Sequence, residues 1–338
     1  MLIRIVKTAL MVAAFLLLAC VSWFVFEFTR APAGAPERIV FEVSPGQSAR
    51  DIAQALQKKG ILPKTWPFLI GYRLMVPKQS LKAGEYAFQI PLSAKAVLGI
   101  LTQGSVYLHS VTIPEGLILE EIGDLLEETG ITSRSDFLRA SQDTSLISSF
   151  DETAQNLEGY LFPETYRFAK GTPAEEVVEA MVSQFLSVFT RDWRVRAEEI
   201  GLSVREVVTL ASLIEKETSL PEEKPIISAV FHNRLKIGMK LDCDPTIIYV
   251  LKKNGTFTGR LRTRDMKLDS PYNTYLYGGL PPGPIANPGR ASLEAALYPS
   301  DEDYLYFVSK NDGSHHFSRS FREHQNAVNR YQKRSRRP

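Results

Sequence analysis

The sequence predicts an α+β protein carried on a single N-terminal transmembrane helix. Three observations lead there. An apolar run free of charge extends from Thr8 to Phe26. The remainder mixes short alternating segments with segments apolar every three or four residues, the patterns of strands and of amphipathic helices. Finally, 338 residues with a hydrophobic share of 44% exceed the usual size of one domain and can fill more than one core.

At about 1.5 Å per residue the run from Thr8 to Phe26 reaches about 28 Å, just enough to cross a bilayer core. Arg4 and Lys7 precede it, so the positive-inside tendency keeps residues 1–7 in the cytoplasm, gives the span 8–28 and sends the rest outside. Leu17-Leu18-Ala19-Cys20 faintly resembles a lipoprotein cleavage box, but Val21 and Trp23 to Phe26 continue the apolar run beyond it. Ala33-Gly34-Ala35 could serve a signal peptidase, yet the run is longer than a normal signal core. An uncleaved anchor in the cytoplasmic membrane is therefore expected, with Trp23 near the outer interface.

Charge and cysteine content remove other classes. A formal net charge of +2 offers no global field for nucleic acid, and the basic run Lys333-Arg334-Ser335-Arg336-Arg337 reads as a solvated tail, 333–338. Cys20 and Cys243 are the two cysteines, too far apart for a disulfide framework or a zinc spacing. No metal or cofactor is expected.

After the anchor, residues 29–38 contain Pro32, Gly34 and Pro36 and read as a linker. Ile39 to Val43 predicts a strand and Pro45-Gly46 a turn. Ser48 then caps a helix that carries Ile52, Ala53 and Leu56 inward and ends at Gly60. The design recurs 70 positions later, where Gly46, Ile52, Leu56, Gly60 and Ile61 align with Gly116, Ile122, Leu126, Gly130 and Ile131 without a gap. Strand-turn-helix units recur widely, so convergence accounts for the echo equally well. Lys82 to Tyr86 and a helix from about Ser93 to Leu101 complete an N-terminal α+β region placed at 39–155. A more aromatic domain, 156–332, opens with Leu157-Glu158-Gly159-Tyr160-Leu161-Phe162-Pro163-Glu164-Thr165-Tyr166, followed by a long helix from about Pro173 to Thr190.

The chemistry is expected on the next helix. Ser203 with Glu206 forms a capping-box pattern, and Val207, Leu210, Ala211 and Ile214 share one face. Lys216 projects away from that face, whereas Glu215 falls on the flank of Val208 and Ala211 and Glu217 on the opposite flank beside Leu213. Two carboxylates at i and i+2 cannot share a pocket, so one can be functional while the other caps, pairs or reaches water. A carboxyl held against apolar neighbours keeps its proton toward neutral pH, as a general acid must. The plainer reading, two glutamates at a helix edge reaching solvent, stands beside it.

A helix over Ile226 to Leu235 delivers His232, Asn233 and Arg234 to its end, and Leu241-Asp242-Cys243-Asp244-Pro245-Thr246 follows as a polar loop. Ser270-Pro271-Tyr272-Asn273-Thr274-Tyr275 leads into Gly278 to Gly289, where four prolines lack the N–H groups of a phosphate cradle. A rigid cleft wall is expected instead, with Tyr faces for sugar rings and Asn, Thr and Arg for hydroxyl and acetamido groups. Tyr304 to Val308 and His315 to Phe317 read as a hairpin turned at Asp312-Gly313. Its adjacent histidines point to opposite faces and cannot chelate one metal. No GxSxG elbow, Walker loop or HExxH helix occurs.

Taken together, the anchor, Leu210-Ala211-Ser212-Leu213-Ile214-Glu215-Lys216-Glu217, Asn233-Arg234-Leu235, Asp244-Pro245-Thr246, the 270–275 loop and Gly279-Leu280-Pro281-Pro282-Gly283-Pro284-Ile285-Ala286-Asn287-Pro288-Gly289 resemble the YceG-like family of endolytic murein transglycosylases. The resemblance covers nearly the whole chain. It implies a LysM-like module in the N-terminal half of the external region and a catalytic role for the first glutamate of the Ile-Glu-Lys-Glu run, Glu215. It also implies cleavage of the bond between N-acetylmuramic acid and N-acetylglucosamine without water, leaving 1,6-anhydro ends on peptidoglycan strands. Penicillin-binding synthases are the partners it implies. Candidate substrate-binding residues are Glu217, Asn233, Arg234, Thr246, Tyr272, Asn273 and Asn287. Cys243 stands where a small polar residue is expected in many relatives. A lysozyme-like hydrolase would need a second carboxylate, for which Glu164, Asp242 and Asp244 are available; a wall-binding adaptor would need no Glu215.

Overall fold

The computed structural model describes residues 1–76 and 81–333; residues 334–338, most of the expected basic tail, lie outside the described residues. The chain divides into two compact units, residues 1–109 and 110–338.

The first unit begins with α1 (Leu2–Thr29), whose charge-free stretch is long and apolar enough to cross a membrane. Strand β1 (Glu37–Val43) pairs antiparallel with β2 (Gly84–Ile90), Phe41 opposite Tyr86. Between them lie α2 (Ala49–Lys58) and α3 (Trp66–Met75), and α4 (Ala94–Gln103) follows. Ser48 caps α2 by accepting from the Asp51 N–H, as its sequence indicates. Ile52, Leu56, Phe68, Tyr86, Phe88 and Val97 form one core with Phe28 of α1. Helix α3 escaped the sequence reading because Pro67 and Gly71 look like breakers. Pro67 occupies the first turn, where its missing N–H costs nothing, and a Cβ on Gly71 would overlap the Phe28 ring.

In the second unit β3 (His109–Thr112) pairs with β4 (Thr165–Phe168). Between them lie α5 (Leu119–Glu128) and α6 (Arg134–Ala140). The strand-helix-helix-strand order thus occurs twice, and the sequence echo has a backbone counterpart. Gly46 and Gly116 both sit at φ +78°, Gly60 and Gly130 at +76° and +72°. The Ile61 and Ile131 N–H groups close the same turn onto the Leu56 and Leu126 carbonyls at 2.9 and 3.0 Å. The division at 109/110 follows from the way the second unit is built. Strand β4 returns to β3, and Ile122, Leu126, Ile131 and Phe137 are buried in the same core as the helices that follow.

Those helices are α7 (Ala174–Val188), α8 (Arg191–Glu199), α9 (Val204–Glu217), α10 (Lys224–Lys236), α11 (Asp244–Lys253) and α12 (Arg290–Leu297). A hairpin, β5 (Tyr306–Ser309) with β6 (His315–Ser318), leads to α13 (Phe321–Val328). At its turn Asn311 and Gly313 take positive φ, and His315 and His316 face different neighbours, Glu223 and Tyr331. Helix α9 carries the capping box read from Ser203 and Glu206, buries Val207 through Ile214 without interruption and packs against α8, α10, α11 and α12. Its C-terminal end therefore emerges from the centre of the unit.

Candidate active site

Glu215 and Glu217 leave α9 in different directions, as the helical spacing requires, and meet unlike surroundings. Glu215 is 7% exposed. Both its oxygens lie 3.2 Å from Lys224 Nζ, and Oε2 accepts from the Gly289 N–H at 3.0 Å and the Ser292 hydroxyl at 2.6 Å. The last two donors belong to the N-terminal end of α12, where the helix dipole favours an anion. Lys224 is itself buried and also reaches Glu115 Oε2 at 3.7 Å, so one ammonium serves two carboxylates. Burial and the charge of Glu215 push the Glu115 carboxyl up from its ordinary value. The apolar setting expected for Glu215 is therefore not found; the carboxylate ties α9 to α10 and α12.

Glu217 meets burial without a buried counter-ion at hydrogen-bonding distance among the described residues. Burial pushes its carboxyl up to about 7, against the lowering effect of a hydrogen bond from the Cys243 thiol, Sγ to Oε1 at 3.0 Å. Burial and the charge of Glu217 push the thiol up in turn, so it stays protonated and donates. The side chain lines a cavity of about 370 Å³ together with Arg234, Asp242, Asp244, Tyr275, Tyr306 and His324. Asp244 accepts from the Tyr275 hydroxyl at 2.6 Å, and Arg234 spans the carbonyls of Leu305 at 2.7 Å and Leu241 at 2.7 Å beneath the Tyr306 ring. Positive φ at Asp242 turns the loop into this wall.

The remaining candidates separate into cavity-lining and structural groups. Tyr272 lines a second cavity of about 370 Å³ with Glu158, Arg205 and Pro282 to Pro284, the wall expected from the proline-rich loop. Asn233 is spent on the Glu302 and Tyr304 carbonyls at 2.8 and 3.0 Å. Thr246 is fully buried and donates to the Cys243 carbonyl at 2.7 Å; Asn273, 1% exposed, holds the Met266 and Leu268 carbonyls. Asn287 is fully buried: its Oδ1 accepts from the Gly159 and Leu161 N–H groups at 2.9 and 3.0 Å, and its Nδ2 donates to Leu117 O and Glu158 Oε1 at 3.0 and 2.9 Å. Glu158, which the sequence did not single out for chemistry, is pushed up to about 8 by burial. Among the described residues no group of three His, Cys, Asp or Glu side chains could hold a metal ion.

The profile of the YceG-like family matches residues 41–330. The chain belongs to the YceG-like family. A Bacillus subtilis relative named endolytic murein transglycosylase is 34% identical over 304 residues, 85% of this chain and 82% of its own length. A Streptococcus pneumoniae relative of the same name is 29% identical, and the match spans 88% of this chain but 59% of that protein. The crystal structure of a YceG-like protein from Listeria monocytogenes superposes with a TM-score of 0.58 at 33% identity, covering 87% of this chain and all of the other. For this member of the YceG-like family, the C-terminal end of α9 is where a buried, proton-retaining carboxyl meets a polar cavity.

Proposed function

We propose that this YceG-like protein is an endolytic transglycosylase of peptidoglycan in which Glu217, rather than Glu215, is the general acid. One observation carries the reading: the Glu217 carboxyl, raised to about 7, opens on the cavity that Arg234, Asp242, Asp244 and Tyr275 share. Glu215 already has three donors. In the proposed reaction protonated Glu217 gives its proton to the glycosidic oxygen as the bond to muramic C1 breaks. The carboxylate left behind then accepts the proton of the C6 hydroxyl while that oxygen closes on C1. The sugar gains an anhydro ring, Glu217 recovers its proton and no water is consumed. General acid catalysis of this kind supplies typically ~10²–10⁴-fold.

Helix α1 is the proposed single-pass anchor in the cytoplasmic membrane, with residues beyond it on the outer side among nascent glycan strands. The strand-helix-helix-strand order of the first unit supports a LysM-like, glycan-binding role for it. Penicillin-binding synthases remain the partners the family resemblance implies.

Digestion of purified, unsubstituted glycan strands tests the assignment. The parent is expected to release 1,6-anhydro products, Glu217→Gln to lose at least ~10²-fold in rate, and Glu217→Asp to recover part of it. Near-parent rates for Glu217→Gln would overturn the acid assignment. A second reading, hydrolysis, is favoured by Asp242 and Asp244 beside the same cavity. Products with reducing ends, one water heavier, would select it.

A further inference from the structure

Helix α3 shows an apolar stripe that the core of its unit leaves open. Trp66 at its start packs against Trp23 of α1, ring centroids 4.9 Å apart and the rings tilted by 37°, and Gly71 lies against Phe28 of the same helix. At about 100° per residue, Ile70 and Leu74 fall between Trp66 and Gly71 around the axis. They therefore point toward the side on which α1 runs, and yet they are 41% and 67% exposed. Pro67, Phe68 and Gly71, farther round the axis, are buried. The level of this stripe is fixed as well. Glu27, the first charge after the apolar run, pairs with Lys64 just ahead of α3 at 2.7 Å, and Phe24 and Phe28 join the core of the unit. Beside the stripe, Arg50 and Arg73 frame a shallow hollow of about 670 Å³ that Ile70 also lines.

We propose that α3 is an interfacial helix, lying on the outer leaflet of the membrane that α1 crosses, with Ile70 and Leu74 among the upper acyl carbons and Arg50 and Arg73 against lipid phosphates. The proposal rests on reading α1 as a membrane span. Continuity with α1 selects the bilayer as occupant. The stripe begins at the residue that packs against the end of the span, and two guanidinium groups at its border match the anionic headgroup layer. Trp23 and Trp66 together then form a small aromatic belt where the chain leaves the bilayer. The first unit is thereby seated on the surface rather than swinging from a flexible stalk.

The test uses the full chain, with Cys20 and Cys243 replaced by Ser, reconstituted at about one copy per vesicle of phosphatidylethanolamine and phosphatidylglycerol. Nitroxide labels are placed singly at Val12, Leu74 or Lys59, and collisions with oxygen and with a water-soluble nickel chelate are compared. Labels at Val12 and Leu74 are expected to favour oxygen, as lipid-immersed groups do, and the label at Lys59 to favour nickel. A nickel-accessible Leu74 label beside an oxygen-accessible Val12 label would overturn the interfacial helix and leave the anchor standing. Nickel access at Val12 would overturn both. A Leu74 label shielded from both reagents would mean that a protein surface covers α3 and would equally overturn the proposal.

Discussion

Two glutamates two residues apart meet unlike surroundings at the end of α9, and the difference lies in what each can hydrogen-bond. Glu215 neutralises a buried ammonium. In Glu215→Gln the Lys224 charge loses its closest counter-ion, and breaking a buried pair from one side costs about 3–5 kcal/mol. That variant is expected to melt well below the parent, and any loss of activity should follow the loss of fold. Glu217 carries a penalty of its own. Its folded carboxyl titrates near 7 against 4.5 in the unfolded chain, so the folded state holds the extra proton between those values. Ionisation of Glu217 therefore takes stability away as pH rises from about 4.5 through 7, and the penalty is complete above that. Glu217→Gln should melt no lower than the parent at pH 8 while losing activity, a pairing that thermal melts and strand digestion read together. For the same reason the parent rate should fall as pH rises through about 7, where the acid gives up its proton. An alkaline limb that Glu217→Asp does not move would count against Glu217. The helical spacing showed in sequence that the two side chains diverge. Which of them is satisfied was not legible, because Lys224, Ser292 and Cys243 come from other elements and only folding brings them near.

At the scale of elements, caps and periodicity were the legible part. Ser48 and Ser203 each cap the helix that their sequence announces, and the apolar spacing of α2 and α9 places their inner faces correctly. Helices α8 and α11 were harder to see. The first buries only Trp193 and Ala197 under a charged surface, and in the second Pro245 stands in the opening turn. Removing the α9 cap with Ser203→Ala frees the Glu206 N–H at the cost of about 1 kcal/mol. The larger unit should then melt about 2–4 °C lower, with the products of digestion unchanged. A change in product chemistry would mean that the two ends of α9 are coupled more tightly than a helix of this length requires.

For the whole molecule, the decisive feature is that each unit owns its core. A chain beginning at Ser110 is expected to fold and to give a cooperative melt close to that of the larger unit in the parent, while losing vesicle association. Circular dichroism and calorimetry would show it; a molten product would mean that residues 1–109 complete the core. The echo between Gly46–Ile61 and Gly116–Ile131 was visible in sequence, but not that its second copy belongs to the larger unit. That follows from the return of β4 to β3, a pairing across 53 residues at Thr112 and Thr165.

Asn287 gathers Leu117, Glu158, Gly159 and Leu161 through bonds that close loops of 126 to 170 residues. Contacts of such separation form late, since loop entropy must be met before they repay it. With residues 1–7 held in the cytoplasm and the chain beyond α1 crossing in order, as proposed, wall-cutting capacity would then stay latent throughout export. It would arise only once the segment bearing Asn287, followed by the β5–β6 hairpin, had cleared the translocation channel, so that an interrupted passage would leave behind a tethered but harmless stump.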